Sequence, residues 1–319
     1  MKNFKPKSIF FLLAVILLVF NMARAQAPHI FTIKDFDLKG PVKNCTVITS
    51  YGQEEFSFDK QGRLTKLKTL HSATDYDITY YKYEGEYIKE RRNEIYRDKV
   101  FDRGTSMAHI YTIDTSATKR ITESIISYAK VSLAQYDYIY DDQGLLVKII
   151  RTDNTGVDET RIERDTIEGQ ITEQFYLNDQ LVKILSNWSD VEEGITIDKN
   201  MTVTMDRDIP QYRHTISRDS TGNIVKNAEW SETSGIDKKG RTVSHKEFLV
   251  EENEYDEDGM LLKTIRKKGK STQEEDFIHQ LDGSEYRNWV KQVVTPYNTY
   301  ITRKIAYYAQ QDQTSQKKE

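Results

Sequence analysis

Aromatic and aliphatic residues alternate with polar residues in short runs along the chain, and Asp and Gly recur between the runs. Tyr138 and Tyr140, for example, stand two positions apart and are followed by Asp141 and Gly144. Residues two apart share one face of a strand, so this alternation predicts strands. Asp followed by Gly three positions later favours a type I turn closed by a glycine bulge. The pattern therefore predicts β-hairpins.

The hairpin pattern recurs with the frame aromatic-Asp-x-x-Gly-x-Leu-x-Lys. Fuller copies span Phe56–Lys66, Tyr138–Lys148 and Asn253–Lys263, and weaker or shortened copies span Ile216–Lys226, Ile236–Val243, Tyr81–Lys89 and Tyr176–Lys183. Such repeats decide the architecture of a chain. We therefore expect an all-β fold, in which antiparallel hairpin and meander repeats form an extended, twisted or curved sheet with little helix.

The best candidate for a helix is the segment Ala117–Ala134. Thr118, Thr122 and the pair Ile125 and Ile126 lower its helix propensity, because β-branched side chains are restricted in a helix. Helix is accordingly expected to be scarce.

The N-terminus has the pattern of a secretory signal. Lysines precede an apolar run from Ile9 to Phe20, and small residues before Gln26 provide a cleavage site after Ala25 or Ala27. Residues 1–25 are therefore expected to be a signal peptide, residues 26–309 a single repeat domain, and the polar residues 310–319 a disordered tail. The protein is expected to be periplasmic, cell-surface or secreted, with no membrane span in the mature chain.

The mature chain is acidic. The signal contains four of the 46 basic residues and none of the 50 acidic residues, which leaves 42 basic residues and a net charge of −8. Binding to nucleic acid requires a basic surface, so a nucleic-acid partner is not expected. The single cysteine, Cys45, cannot form an internal disulfide and is expected to be a small buried residue of a strand over residues 42–47.

The frame Tyr-Asp-x-x-Gly-x-Leu resembles the YD repeats of the RHS (rearrangement hot spot) family, which form long antiparallel β-sheets on bacterial surfaces and around toxins. Segments outside the repeats, Asp37–Lys43, Asn288–Lys291 and Arg303–Tyr308, resemble those of exported repeat proteins of Bacteroidetes-type bacteria. The resemblance implies a repeat sheet and no catalytic residue. The chain has no long tandem array, so the toxin-cage role is not carried over.

Motifs for chemistry are scarce. The acidic groups Asp141-Asp142 and Asp256-Glu257-Asp258 have oxygen ligands that calcium prefers, but a calcium loop starting at Asp256 would need Glu where Lys267 stands. Turn formation explains them better. The six histidines are not at the spacings of zinc sites, and there is no nucleophile elbow or phosphate-binding loop. No enzyme activity, metal or cofactor is therefore expected.

Aromatic side chains offer one possible ligand platform. Exposed Tyr and Trp rings can stack on sugars, although aromatic residues at strand spacing more often pack in a core or across strands. The candidate platform residues are Tyr136, Tyr138, Tyr140, Trp188, Trp230 and Trp289.

Export, repeats and the lack of catalytic motifs together predict a noncatalytic protein that serves as a binding or scaffold surface in the cell envelope, with a protein or glycan partner. One alternative is a carbohydrate-binding or carbohydrate-active protein. A second alternative is an assembly element that pairs through open sheet edges.

Overall fold

The computed structural model describes residues 28–309 except 193–194, 207–208 and 237–241. The predicted signal peptide, the C-terminal tail and the turn of the Ile236–Val243 repeat lie outside these residues. Within the described residues, regular structure consists of a four-residue 3-10 helix, Ile33–Phe36, and β-strands. No helix in the described ranges is long and apolar enough to cross a membrane.

The strands follow one another in chain order. They are β1 (Val42–Ile48), β2 (Gln53–Phe58), β3 (Leu64–Leu70), β4 (Tyr76–Glu84), β5 (Tyr87–Arg97), β6 (Val100–Asp114), β7 (Arg120–Ser127), β8 (Ser132–Tyr140), β9 (Leu146–Asp153), β10 (Gly156–Ile167), β11 (Gln170–Leu177), β12 (Gln180–Glu192), β13 (Ile195–Asp206), β14 (Ile209–Arg218), β15 (Ile224–Ile236), β16 (Thr242–Tyr255), β17 (Leu261–Lys268), β18 (Ser271–Leu281), β19 (Trp289–Thr295) and β20 (Thr299–Tyr307). The all-β prediction is confirmed.

The sheet is closed. Each strand pairs antiparallel with the next, and β20 also pairs with β1, so Cys45 lies opposite Phe56 on one side and Ile305 on the other. The result is an antiparallel barrel of twenty strands, and the predicted extended open sheet is wrong. A hairpin repeat specifies only adjacent strands, whereas closure depends on the twist and stagger that accumulate over the whole sheet.

The helix candidate Ala117–Ala134 contains strand β7 and the start of β8. Its threonines and isoleucines suit a pleated surface that packs on neighbouring strands. The segment therefore forms strands and not a helix, in agreement with its low helix propensity.

The predicted Asp-x-x-Gly turns are confirmed at Asp59, Asp141, Asp219 and Asp256, the copies whose turns the structure describes. Asp141 Oδ1 accepts hydrogen bonds from the backbone N–H groups of Gln143 at 3.0 Å and Leu145 at 2.8 Å. Gly144 donates its N–H to the Asp141 carbonyl at 3.0 Å and has φ of +77°. The carboxylate that resembled a calcium ligand is therefore an acceptor within its own turn.

The four such turns among the described residues lie at the same end of the barrel. They begin at Asp59, Asp141, Asp219 and Asp256, and each connects an even-numbered strand to the next odd-numbered strand. The segment before β1 crosses this end: Leu64 donates its N–H to the carbonyl of Phe31, and Lys39 donates its N–H to Asn288 Oδ1. Contacts far apart in sequence therefore hold the turn end together.

The sheet has two distinguishable faces. One, which we call the cluster face, carries two apolar clusters, the first around Tyr138 and Phe175 and the second around Cys45 and Phe56. Cys45 is 1% exposed, as predicted, and burial raises the pKa of its thiol to about 11. The other side of the same sheet is called the opposite face. Residues paired across antiparallel strands share a face, so the register assigns each remaining side chain to one of the two.

Candidate functional site

The six aromatic residues of the predicted platform do not come together. Tyr138, Tyr140 and Trp289 are buried, at 5%, 7% and 7% exposure. Tyr136 is half-buried and stacks on Tyr138, with ring centroids 6.4 Å apart. Of the six, Trp188 and Trp230 lie on the opposite face, where both are half-buried.

Trp289 has a role in the fold. Its Nε1 donates a hydrogen bond to Asp37 Oδ2 at 3.0 Å, and the Arg303 guanidinium lies 3.5 Å from its ring centroid. Arg303 also donates hydrogen bonds to the carbonyls of Phe36 and Asp37, both at 3.1 Å. This tryptophan therefore fixes the segment before β1 to the barrel.

A buried polar network lies on the cluster face. Glu123 Oε1 accepts hydrogen bonds from His109 Nδ1 at 2.6 Å and the Tyr111 hydroxyl at 2.9 Å, and Oε2 accepts one from the Tyr138 hydroxyl at 2.8 Å. Arg91 Nη2 lies 3.9 Å from Glu123 Oε1. These residue types occur in general acid–base sites, but here each side chain is bound to another member of the network.

The electrostatics of this network favour an ionised carboxylate. Burial opposes ionisation of Glu123, but the hydrogen bonds from His109, Tyr138 and Tyr111 outweigh it and lower the pKa from the ordinary value of 4.5. Burial and the adjacent carboxylate raise the pKa values of Tyr111 and Tyr138, so both hydroxyls stay protonated. Both Glu123 oxygens thus accept hydrogen bonds, and the network links the strands β5–β8 of the barrel wall.

Sequence reasoning missed this network because its members come from four strands. One signal was present, since Glu123 stands between Ile121 and Ile125 at strand spacing and therefore faces an apolar surface. A lone carboxylate in such a position needs hydrogen-bond donors.

A groove of about 640 Å³ lies on the opposite face, beside the turn between β10 and β11. We call it the Trp188 groove, and its lining includes Asp165, Gln170, Thr172, Gln174, Trp188 and Asp190. It combines an aromatic ring with carboxylates, carboxamides and a hydroxyl, the groups that orient a polar ligand in a binding site.

Unequal strand lengths create the groove. The turn at Glu168 and Gly169 ends the β10–β11 hairpin, and the pairing of β11 with β12 stops at Ile171 opposite Asn187. β12 continues to Glu192 and is paired there with β13. The β12–β13 hairpin therefore extends beyond the adjacent β10–β11 hairpin, and Trp188 is the first residue of the step between them. Such a difference in strand length is hard to read from hydrophobic patterns alone.

Polar contacts hold the groove in shape. Trp188 Nε1 donates a hydrogen bond to Asp190 Oδ2 at 3.0 Å, and Lys199 Nζ donates to the same oxygen at 2.8 Å. The Tyr176 hydroxyl donates to Gln174 Oε1 at 2.6 Å, which leaves Nε2 as the donor end of this carboxamide. Hydrogen bonds thus fix the orientation of the tryptophan ring and of the carboxamide.

The charge state of Asp190 follows from these contacts. Hydrogen bonds from Lys199 and then from Trp188 lower its pKa, so the carboxylate is ionised at neutral pH. In this state the Asp190 side chain accepts hydrogen bonds. Across the described parts of the chain, no three His, Cys, Asp or Glu side chains are grouped to hold a metal ion.

Comparison with known proteins does not identify a family: no family model matches the chain, and no curated protein matches it. Among solved structures, a porin-like protein from Bacteroides uniformis ATCC 8492 is similar over 83% of this chain and 96% of its own, at 8% identity and a TM-score of 0.30. TcdB2-TccC3 is similar over 72% of this chain and 15% of its own, at 12% identity and a TM-score of 0.26. At these TM-scores neither likeness carries an argument, and membership of the YD-repeat family stays a prediction.

Proposed function

We propose that this chain is a noncatalytic protein of the cell envelope that binds carbohydrate in the Trp188 groove. The signal pattern before Gln26 supports export. The observation that carries the proposal is the groove itself, in which Trp188 and Asp190 are fixed against each other beside two carboxamide side chains.

The chemistry of the groove matches that of a sugar. A pyranose has an apolar face of C–H groups, which an indole ring can cover, and a rim of hydroxyls that both donate and accept hydrogen bonds. Asp165 and Asp190 supply acceptors, while Gln170 and Gln174 supply donors and acceptors. A rigid ring with polar groups around it gives orientation at low cost in conformational entropy.

Binding rather than hydrolysis is supported by the state of Asp190. Glycoside hydrolysis commonly requires a carboxylic acid that gives a proton to the leaving oxygen, and such an acid has a raised pKa. The Asp190 pKa is lowered, and its carboxylate is bound to Lys199 and Trp188. This acid therefore suits recognition of hydroxyl groups.

Closure of the barrel counts against the assembly alternative. Every strand has a neighbour on both sides, and the β12 segment from Trp188 to Glu192 is an overhang with one neighbour. An open sheet would present whole strand edges to another copy, whereas this barrel presents only short overhangs.

The test is binding of the purified chain from Gln26 onward to a glycan array, followed by calorimetric titration of the strongest ligand. We expect Trp188→Ala to lower the affinity at least tenfold, because the ring contact is lost. Tyr300→Ala is the matched control, since Tyr300 is an aromatic residue of the opposite face, 59% exposed and outside the groove. Silence on the array would contradict carbohydrate binding, and release of shorter sugars from a bound glycan would contradict a noncatalytic role.

A further inference from the structure

Trp230 lies on the same face as the Trp188 groove. The hydrogen-bonded register of β12–β15 places one row of side chains across four strands: Trp188, Lys199, Ser217 and Lys226. Trp230 follows Lys226 by four positions in β15, and residues an even number apart share a face. The two tryptophans are therefore part of one surface.

Trp230 belongs to a second aromatic group. It lies directly opposite Phe248 of β16 and, on its other side, opposite Arg213 of β14. Phe248 is 55% exposed, so this large apolar side chain is accessible to water. The two rings thus share this face with the exposed Arg213, whose guanidinium can donate hydrogen bonds to hydroxyls.

The distance between the two groups follows from the geometry of the sheet. They are separated by three strand spacings and by four residues along a strand, which places them about 20 Å apart. The row between them consists of Ser186, Met201, Thr215 and Ala228, and three of these four side chains are small. A mono- or disaccharide cannot cover this span, but a longer chain can.

We infer that the ligand of the Trp188 groove is a linear oligosaccharide or polysaccharide, and that Trp230 and Phe248 form a second subsite for it. This inference rests on the proposed function. A chain anchored in the groove brings its later residues to Trp230 at a high effective concentration, so the second contact adds affinity without a second encounter. Short sugars occupy only the Trp188 groove and do not reach the second subsite.

The test uses linear oligomers of glucose, N-acetylglucosamine and mannose, each from two to eight residues, titrated against the purified chain. For a series that binds, we expect the affinity to rise at least tenfold between the dimer and the longer oligomers. Trp230→Ala and Phe248→Ala are each expected to remove this rise and to leave dimer binding unchanged, whereas Trp188→Ala weakens binding at every length. Tyr300→Ala is expected to change neither the affinity for the dimer nor the rise of affinity with length.

Phe248→Ala protects the test against misfolding, because a side chain 55% exposed contributes little to the core. Circular dichroism and melting of each variant establish that it is folded. An affinity that does not depend on oligomer length would overturn the second subsite and leave carbohydrate binding intact. An equal loss of affinity at all oligomer lengths in Trp230→Ala would do the same. Silence of all three series with a positive array would likewise overturn this inference alone, and silence of the array as well would overturn both.

Discussion

The surroundings of Glu123 on the cluster face and of Trp188 on the opposite face use the same kinds of side chain and differ in their access to water. Glu123 is 7% exposed, and its donors His109, Tyr111 and Tyr138 belong to the same wall. Asp190, beside Trp188, is exposed at the edge of a groove. A buried acid held by aromatic donors links strands of the wall, whereas an acid held at an open edge keeps oxygen atoms accessible to the ligand that we propose.

The largest effect on stability is expected from Glu123→Ala. This change leaves three buried donors without their acceptor, and we expect the free energy of unfolding to fall by about 3–5 kcal/mol. Urea denaturation followed by tryptophan fluorescence measures it, with Tyr300→Ala as the exposed control. A midpoint unchanged from that of the parent chain would show that the network does not stabilise the wall.

Acidification is expected to remove the same contribution gradually. The folded-state pKa of Glu123 lies below its ordinary value of 4.5, so its contribution is complete above that value and is lost as the pH falls through the folded pKa. We expect Glu123→Gln to lose less stability than the parent chain between pH 7 and pH 3. Parallel stability curves for the two proteins over this range would refute the assignment.

Each hairpin turn is expected to contribute less to the free energy of unfolding than Glu123 does. Gly144 has φ of +77°, and a Cβ there would meet nothing within 4 Å, so Gly144→Val tests backbone strain without a clash. We expect a loss of about 1–3 kcal/mol, and a similar loss for Gly259→Val at φ of +78°. Gly104, which is exposed and has no positive φ, provides the control variant Gly104→Val. Unchanged melting of the two turn variants would refute a shared turn geometry.

The smallest effect on stability is expected at the groove. Trp188 is half-buried at a step of the sheet, so Trp188→Ala is expected to change the free energy of unfolding by no more than about 1 kcal/mol while it lowers the glycan affinity at least tenfold. Chemical denaturation and calorimetric titration of the same preparation measure both quantities. A large loss of stability would mean that Trp188 belongs to the core, and the contrast with Glu123 would disappear.

The local structure was predictable from the sequence because neighbouring residues determine it. Alternation around Tyr138 and Tyr140 indicated a strand, and Asp141 with Gly144 indicated the turn, since each of these preferences acts within a few residues. The burial of Cys45 followed from the apolar alternation of β1. The candidate platform was predictable only as a set of aromatic residues, because alternation does not tell which face of a strand is covered.

The sequence by itself thus determined the strand character of the chain, the hairpin turns and the acidic, aromatic composition of the chain. Tertiary structure alone decided that β20 meets β1, that Tyr138 and Trp289 are buried, and that Trp188 and Trp230 share a face. The reason is that closure and register are properties of the whole sheet. Each strand adds a small twist and offset, and only their sum over twenty strands determines which side chains become neighbours.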